Sequence, residues 1–260
     1  MISMKLMIPS KGNKKLEEIV ARAEKDIELG ELWKASNVMA IDRLGFNDHG
    51  PTHVKIVANI SLKILRMFLE KGRVPSIVKD YNMTKEDAEV IVVLASMLHD
   101  IGHVVQRDDH EKLAIPLAIP VIERMLHTIY DTGHSTILQG EILHAIISHA
   151  SGVYPQTLEA GIVKVADALD MEQGRARIPF KAGSVNIHSV SAMAIEKVEI
   201  RSGTDKPLEI EIRMSNSAGI FQIDDLLRER IKESGLGKDI RVMVQISGEE
   251  KKIIEDKIEI

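Results

Sequence analysis

The segment "ASMLHDIGHVV", Ala95 to Val105, carries an apolar helical run into His99, Asp100, Gly102 and His103. Ionisable side chains at the end of a core-patterned helix have two readings. In the first they cap it: Gly102 suits a left-handed C-terminal turn, and His99 and His103 lie where the helix dipole favours positive charge. Asp100 does not fit that reading, because a carboxylate at a helix C-terminus is electrostatically misplaced unless a cation sits beside it. In the second reading the cation is a metal ion, for which imidazole and carboxylate are natural ligands. More residues of these types stand along the chain: His49 and His53 in "NDHGPTHVKIV", His110 in "RDDHEKLA", His144 and His149 in "EILHAIISHA", and Asp167 in "IVKVADALD". Asp167 has only apolar or small neighbours, where an unpaired carboxylate is costly or takes up a proton. A metal, a histidine or an arginine must neutralise it.

The elements that must bring these residues together read as helices from Lys14 to about Asp170. "KKLEEIVARAEKDIEL" and "ELWKASNVMAIDRL" repeat apolar residues at three- and four-residue spacing, and "HVKIVANISLKILRMFLE" gives a longer helix stopped by Gly72 and Pro75. Thr84 and Asp87 form a capping box that starts the helix ending at His99. "EKLAIPLAIPVIERMLHTIY" is helical, with a break or kink expected at Pro116 and Pro120. "STILQGEILHAIISHA" and "YPQTLEAGIVKVADALD" complete an all-α unit, Pro155 falling near the first turn of the last helix. The pattern then changes. "AIEKVEIRS" and "LEIEIRMS" alternate charged and apolar residues around "GTDKP", a hairpin signal, followed by the helical "IFQIDDLLRERIKESGLG" and one or two further strands. The expected organisation is mostly α: an all-α domain over residues 1–180 and a small α+β domain, ββαβ-like, over residues 181–260.

Composition narrows the chemistry. The 260 residues contain no cysteine, which excludes disulfides, thiolate catalysis and zinc–thiolate sites. The net charge of −5 offers no global basic field for nucleic acid, and acidic residues slightly outnumber basic ones after residue 180. The N-terminus lacks a secretory apolar run and no window reads as a membrane span, so a cytoplasmic protein without a membrane partner is expected.

Taken together, His53, the His99–Asp100 pair and Asp167 resemble the H…HD…D signature of the HD-domain metal-dependent phosphohydrolases. His110 and His149 resemble the additions of its longer, two-metal form. "LHDIGH", "HEKLA" and "ISHASGVYPQTLEAGIVKVADALDMEQGRAR" are most similar to the HD domain of ribonuclease Y and its archaeal relatives, and less similar to the cyclic-di-nucleotide phosphodiesterases of the HD-GYP type. The resemblance runs from Asp48 to Arg177. Ser148-His149 stands where those families pair two histidines, His103 where they carry a lysine, and "GVYP" only echoes their GYP tripeptide. No KH nucleic-acid module or membrane anchor is recognised.

The resemblance implies an all-α HD helical bundle and two divalent transition-metal ions, Mn, Fe, Ni, Co or Zn. It assigns His53, His99, Asp100 and Asp167 to one ion, and His110 and His149, with Asp100 bridging, to the other. The implied reaction is hydrolysis of a phosphodiester or phosphomonoester of a nucleotide-type substrate by a metal-activated water, which Asp167 could orient. Asp100, Asp167 and His103 are the expected catalytic residues. His103, in the lysine position, is also a substrate contact, with the helix cap as its alternative reading. Arg175 and Arg177 in "QGRARIP" are candidate phosphate clamps, with Lys164 and Arg107 behind them. His49 and His144 stay open as alternatives to His53, His110 and His149, while His127, His134 and His188 read as ordinary histidines. Competing functions are a mononucleotide phosphatase or triphosphohydrolase and a non-catalytic nucleotide sensor. RNA is a candidate substrate that net charge does not favour, and the C-terminal strands could build a homo-oligomer.

Overall fold

The computed structural model describes residues 5–172, 187–247 and 258–259. The boundary expected near residue 180, together with Arg175 and Arg177, lies outside them.

Eight helices make the first part: α1 (Lys14–Ala23), α2 (Ile27–Asn37), α3 (Pro51–Glu70), α4 (Ser76–Tyr81), α5 (Lys85–Leu98), α6 (His110–Leu126), α7 (Thr132–Ser148) and α8 (Leu158–Leu169). At the centre is α5, in which every residue from Asp87 to Leu98 is buried; it packs against α1, α3, α4, α7 and α8. Its start is the expected capping box of Thr84 and Asp87. At its other end the Trp33 indole N–H donates to the Met97 carbonyl at 2.7 Å, so α2 is pinned where the backbone runs out of helical partners.

Several boundaries differ from the sequence expectation. The helical pattern through residues 14–29 breaks at Asp26, whose carboxylate caps α2 by accepting the Leu29 N–H and is itself held by Arg124. Pro116 and Pro120 do not interrupt α6. Both prolines are exposed, as is Lys112, so the carbonyls at 112 and 116 that lose an N–H partner lie on the solvent side. Thr157, not Pro155, starts α8, by accepting the Ala160 N–H.

The second part opens with α9 (Ile187–Ala194), which runs directly into β1 (Ile195–Ser202). β1 pairs antiparallel with β2 (Leu208–Met214), Ile200 opposite Ile210, as the alternating pattern requires. The helical segment after β2, a π-turn at Gln222–Arg228 continuing into α10 (Glu229–Glu233), is the crossover that lets β3 (Ile240–Ile246) lie parallel to β2. A short β4 (Ile258–Glu259) joins β3, giving the order β1-β2-β3-β4. The fold is thus mostly α with a small terminal sheet. Among the described residues no helix is long and apolar enough to cross a membrane.

Candidate metal centre

Six side chains predicted as ligands arrive at one place from five helices and a turn. His53 comes from the first turn of α3, His99 caps α5, Asp100 follows it, His110 is the first residue of α6, His149 caps α7 and Asp167 lies in α8. His53, His99, Asp100 and His149 are buried. The turn after Asp100 sets the approach of α6. Gly102, expected as a left-handed cap, does not take a positive φ; it lies in the 3-10 turn Ile101–Val104. A Cβ there would stand 1.9 Å from the His110 carbonyl oxygen, so glycine is needed for the close packing that brings His110 to Asp100.

Asp100 divides the cluster. Its Oδ2 lies 3.2 Å from His53 Nε2 and 3.3 Å from His99 Nε2, and Asp167 Oδ1 stands 3.3 Å from the same His53 nitrogen. Its Oδ1 lies 3.2 Å from His110 Nε2 and 3.7 Å from His149 Nε2. The two imidazole pairs face each other through Nε2, His53 to His99 at 3.1 Å and His110 to His149 at 3.3 Å.

The far side of each ring decides what these nitrogens can do. His53 Nδ1 donates to Asp170 Oδ2 at 2.6 Å, His99 Nδ1 to the Ser96 carbonyl at 2.8 Å, His110 Nδ1 to the Arg107 carbonyl at 2.9 Å and His149 Nδ1 to the Ile146 carbonyl at 2.6 Å. Every partner is an acceptor only, so each Nδ1 carries the hydrogen and, in the neutral ring, each Nε2 presents a lone pair. Two lone pairs at about 3 Å, beside carboxylate oxygens, repel unless a cation lies between them. Asp100 Oδ2 accordingly has no hydrogen-bond partner of acceptable geometry although it is buried. The donor set of imidazoles and carboxylates with outer-shell acceptors fits divalent transition metals. His53, His99 and Asp100 form one group that could hold an ion, and Asp100, His110 and His149 another.

Without an ion, protons supply the positive charge. Burial works against charging His99, but Asp100 and Asp167 outweigh it and lift the imidazole to about 9. Burial would likewise raise both carboxyls, yet His99, with the His110 and His53 imidazoles close beside it, takes Asp100 well below the usual range, and His53 and His99 do the same for Asp167. Burial, with His99 charged nearby, pushes His149 well down.

A third group, His49, Asp100 and His103, also converges, but a cation of the chain already faces it. The Arg107 guanidinium lies 3.2 Å from His103 Nε2 and 3.5 Å from His49 Nε2, and stacks over the Phe46 ring at 4.8 Å. His103 is fully buried, stacked on His110 at 4.0 Å, so it is not a surface cap. Burial is the main cause holding it neutral, with a pKa near 3. His144 joins none of these groups among the described residues; its Nε2 accepts the Gln156 N–H. Lys164 does not face substrate: it is buried, with its Nζ bonded to three carbonyls and Glu233.

A cavity of about 300 Å³ opens onto the cluster, lined by Asp100, His110, His149 and Asp167 and, around them, by Phe46, His49, Arg107, Gln222, Leu226 and Arg230. A larger groove of about 1090 Å³ between α3 and β1 reaches only His53 and Asp170 of this constellation, so the smaller one is where the ligating atoms face solvent. Three contributors were not foreseen. Asp170, one helical turn after Asp167 in "DALD", carried a legible signal, a second carboxylate on an apolar helix. Arg230 and Gln222 carried none, because only the folded chain brings residues of the C-terminal part to this cavity.

A family model described as "HD domain" matches residues 51–172. An uncharacterized protein of Methanocaldococcus jannaschii is 45% identical over 232 residues, 89% of this chain and 89% of its own length. Ribonuclease Y of Opitutus terrae is 26% identical over 233 residues, 84% of this chain but 40% of that protein, and ribonuclease Y of Thermoanaerobacter pseudethanolicus is 25% identical over 63% of this chain and 30% of its own length. No solved structure gives a significant match. With the matched segment carrying the His/Asp groups described above, the chain belongs to the HD-domain superfamily of metal-dependent phosphohydrolases.

Proposed function

We propose that the chain is a metal-dependent phosphoric ester hydrolase acting on a nucleotide-type substrate through a two-ion centre. His53, His99, Asp100 and Asp167 would hold one ion, and His110, His149 and the other oxygen of Asp100 the second. The observation that carries this reading is the commitment of all four Nδ1 atoms to acceptors, which leaves two converging pairs of Nε2 lone pairs on either side of Asp100. Divalent ions bound there supply Lewis acidity toward a phosphoryl oxygen and lower the pKa of water.

The chain's own residues do the rest. Asp167, the more open of the two central carboxylates, faces the cavity and is proposed to orient the attacking water and take its proton at a carboxylate oxygen. Arg107 and Arg230 enter the cavity from opposite parts of the molecule and are the cations proposed to bind the substrate phosphate, a role expected of Arg175 and Arg177 as well. His103, held neutral, is proposed to position Arg107; service as the leaving-group acid would require the charge of a bound phosphate to raise its pKa. Walls from both parts of the chain restrict water around the ester.

A cavity of about 300 Å³ favours a small phosphate ester or the end of a longer strand over an extended polynucleotide. Similarity to ribonuclease Y makes an RNA phosphodiester the second substrate class. The test is hydrolysis of bis(p-nitrophenyl) phosphate, p-nitrophenyl phosphate, nucleoside triphosphates and a short RNA by the Mn-loaded chain, with Asp100→Ala as control. A terminal phosphate left on a strand identifies phosphodiester cleavage, inorganic phosphate monoester hydrolysis, and tripolyphosphate triphosphohydrolysis. No turnover in a metal-loaded chain would favour the nucleotide-binding sensor. Pairing of two C-terminal sheets is a separate proposal, tested by mass in solution.

A further inference from the structure

His149 stands where the helical bundle meets the C-terminal part. The main chain carrying it, residues 149–153, leaves α7 without regular structure and turns toward α8. Buried Lys164 fills that turn from inside: its Nζ donates to the carbonyls of Ala150 at 2.6 Å, Val153 at 2.7 Å and Ser148 at 3.3 Å, and pairs with Glu233 Oε2 at 2.7 Å. Glu233 belongs to α10, and its Oε1 accepts the Gly152 N–H at 2.9 Å. One turn earlier on the same helix, Arg230 Nη1 donates to the carbonyl of His149 itself. The seat of α10 on α8 is close: a Cβ at Gly161 would lie 2.5 Å from the Ser234 carbonyl oxygen.

Within this turn the backbone supplies only a long bond, from the Val153 N–H to the Ala150 carbonyl at 3.4 Å, and a buried ammonium and a guanidinium supply the stronger donors. The imidazole of His149 is fixed at Nδ1 by Ile146, while its main chain is fixed by Lys164, Glu233 and Arg230. His99, by contrast, ends α5, a helix buried along its length. The two halves of the cluster therefore differ in what holds them.

We infer that Arg230 and Glu233 are positioning residues for His149, so that the C-terminal part of the chain completes the His110–His149 half of the centre. This rests on the reading of the cluster as a two-ion site. Loss of an outer-shell partner typically weakens metal binding by about 10–100-fold, and here the loss falls on one ion only.

Co(II) titration of the full-length chain, followed by visible absorption and by metal content after dialysis, tests it without reference to activity. The wild type is expected to show two binding steps. In R230Q and in E233Q, one step weakens by about 10–100-fold and the other keeps its affinity; R230K, which retains the charge and a donor, recovers part of the loss. E233Q leaves the buried Lys164 ammonium without its counter-charge, so a lowered melting transition accompanies its effect; R230Q leaves that pair intact and separates loss of one ion from loss of the fold. Two unchanged steps in both variants, or equal weakening of both steps, would overturn the inference and leave the metal centre standing. A wild type that binds no Co(II) would overturn both.

Discussion

Asp170 Oδ2 lies 2.6 Å from Nδ1 of His53, on the side of the imidazole turned away from Asp100. The carboxylate fixes the tautomer, aims Nε2 at the cluster and increases its basicity. Asp170→Asn is therefore expected to weaken the ion proposed for His53 by about 10–100-fold while the fold persists. Competition with a chromogenic chelator checks this; unchanged affinity would remove Asp170 from the support of the site.

Asp100 contributes one oxygen to each half of the cluster. Asp100→Ala should abolish retention of both ions and hydrolysis together, with the helical circular dichroism intact. Retention of one ion would show that Asp100 does not bridge.

The ion-free site holds a proton on His99 up to about pH 9, because Asp100 and Asp167 outweigh the cost of burial. A metal must displace that proton, so apparent affinity rises with pH between 6.5 and about 9, by up to about tenfold per unit for one proton released. The sign for stability is opposite. A histidine raised above its unfolded value of 6.5 contributes fully below that pH and loses its contribution as pH climbs toward 9, so the apoprotein melts lower at pH 9 than at pH 7 on this account. Calorimetric titration in buffers of different ionisation enthalpy, with melting of the apoprotein, reads both trends; pH-independent affinity would contradict the assignment.

Asp87 joins three elements. Its Oδ2 accepts the Thr84 N–H and hydroxyl, and its Oδ1 accepts Lys15 Nζ and the Tyr130 hydroxyl, both at 2.7 Å. Burial would raise this carboxyl, but these partners bring it below its usual value. Its stabilisation is therefore present above the ordinary carboxylate range and lost as pH falls through the lowered pKa. Asp87→Asn should cost about 2 kcal/mol at pH 7, with the gap to wild type narrowing in acid. Urea unfolding at pH 7 and at a pH well below the ordinary aspartate value of 3.8 measures it, and a gap independent of pH would point to shape rather than charge.

Gly102→Ala places a methyl group against the His110 carbonyl oxygen and the Ala114 amide nitrogen. Backbone atoms cannot yield as a side chain tip does, so α6 must move and take His110 with it. A loss of about 3 kcal/mol or more is expected, together with weaker metal retention; a neutral substitution would mean that the turn has room the structure does not show.

The sequence made one half of the site legible and hid the other for a physical reason. His99, Asp100, His110 and Asp167 are conspicuous because ionisable residues interrupt apolar helical patterns, and those interruptions can be read locally. The Thr84–Asp87 box and the β1–β2 hairpin are local as well. Gly102 was legible as a special position but not for the right reason, since its partner is a carbonyl eight residues away on another helix. Lys164 read as a candidate phosphate contact because nothing nearby in sequence announces Glu233 or the three carbonyls around it. Arg230 reaches His149 across 81 residues, a separation over which periodicity and caps carry no information. Asp26 shows the same limit at short range: it lies inside a continuous helical pattern yet ends that run by capping α2.

The most direct test of the account is the metal content of the full-length chain purified without chelator and equilibrated with Mn or Fe, beside Asp100→Ala. The account predicts about two ions per chain, both absent from the variant. A folded wild-type chain that retains no transition metal would contradict it.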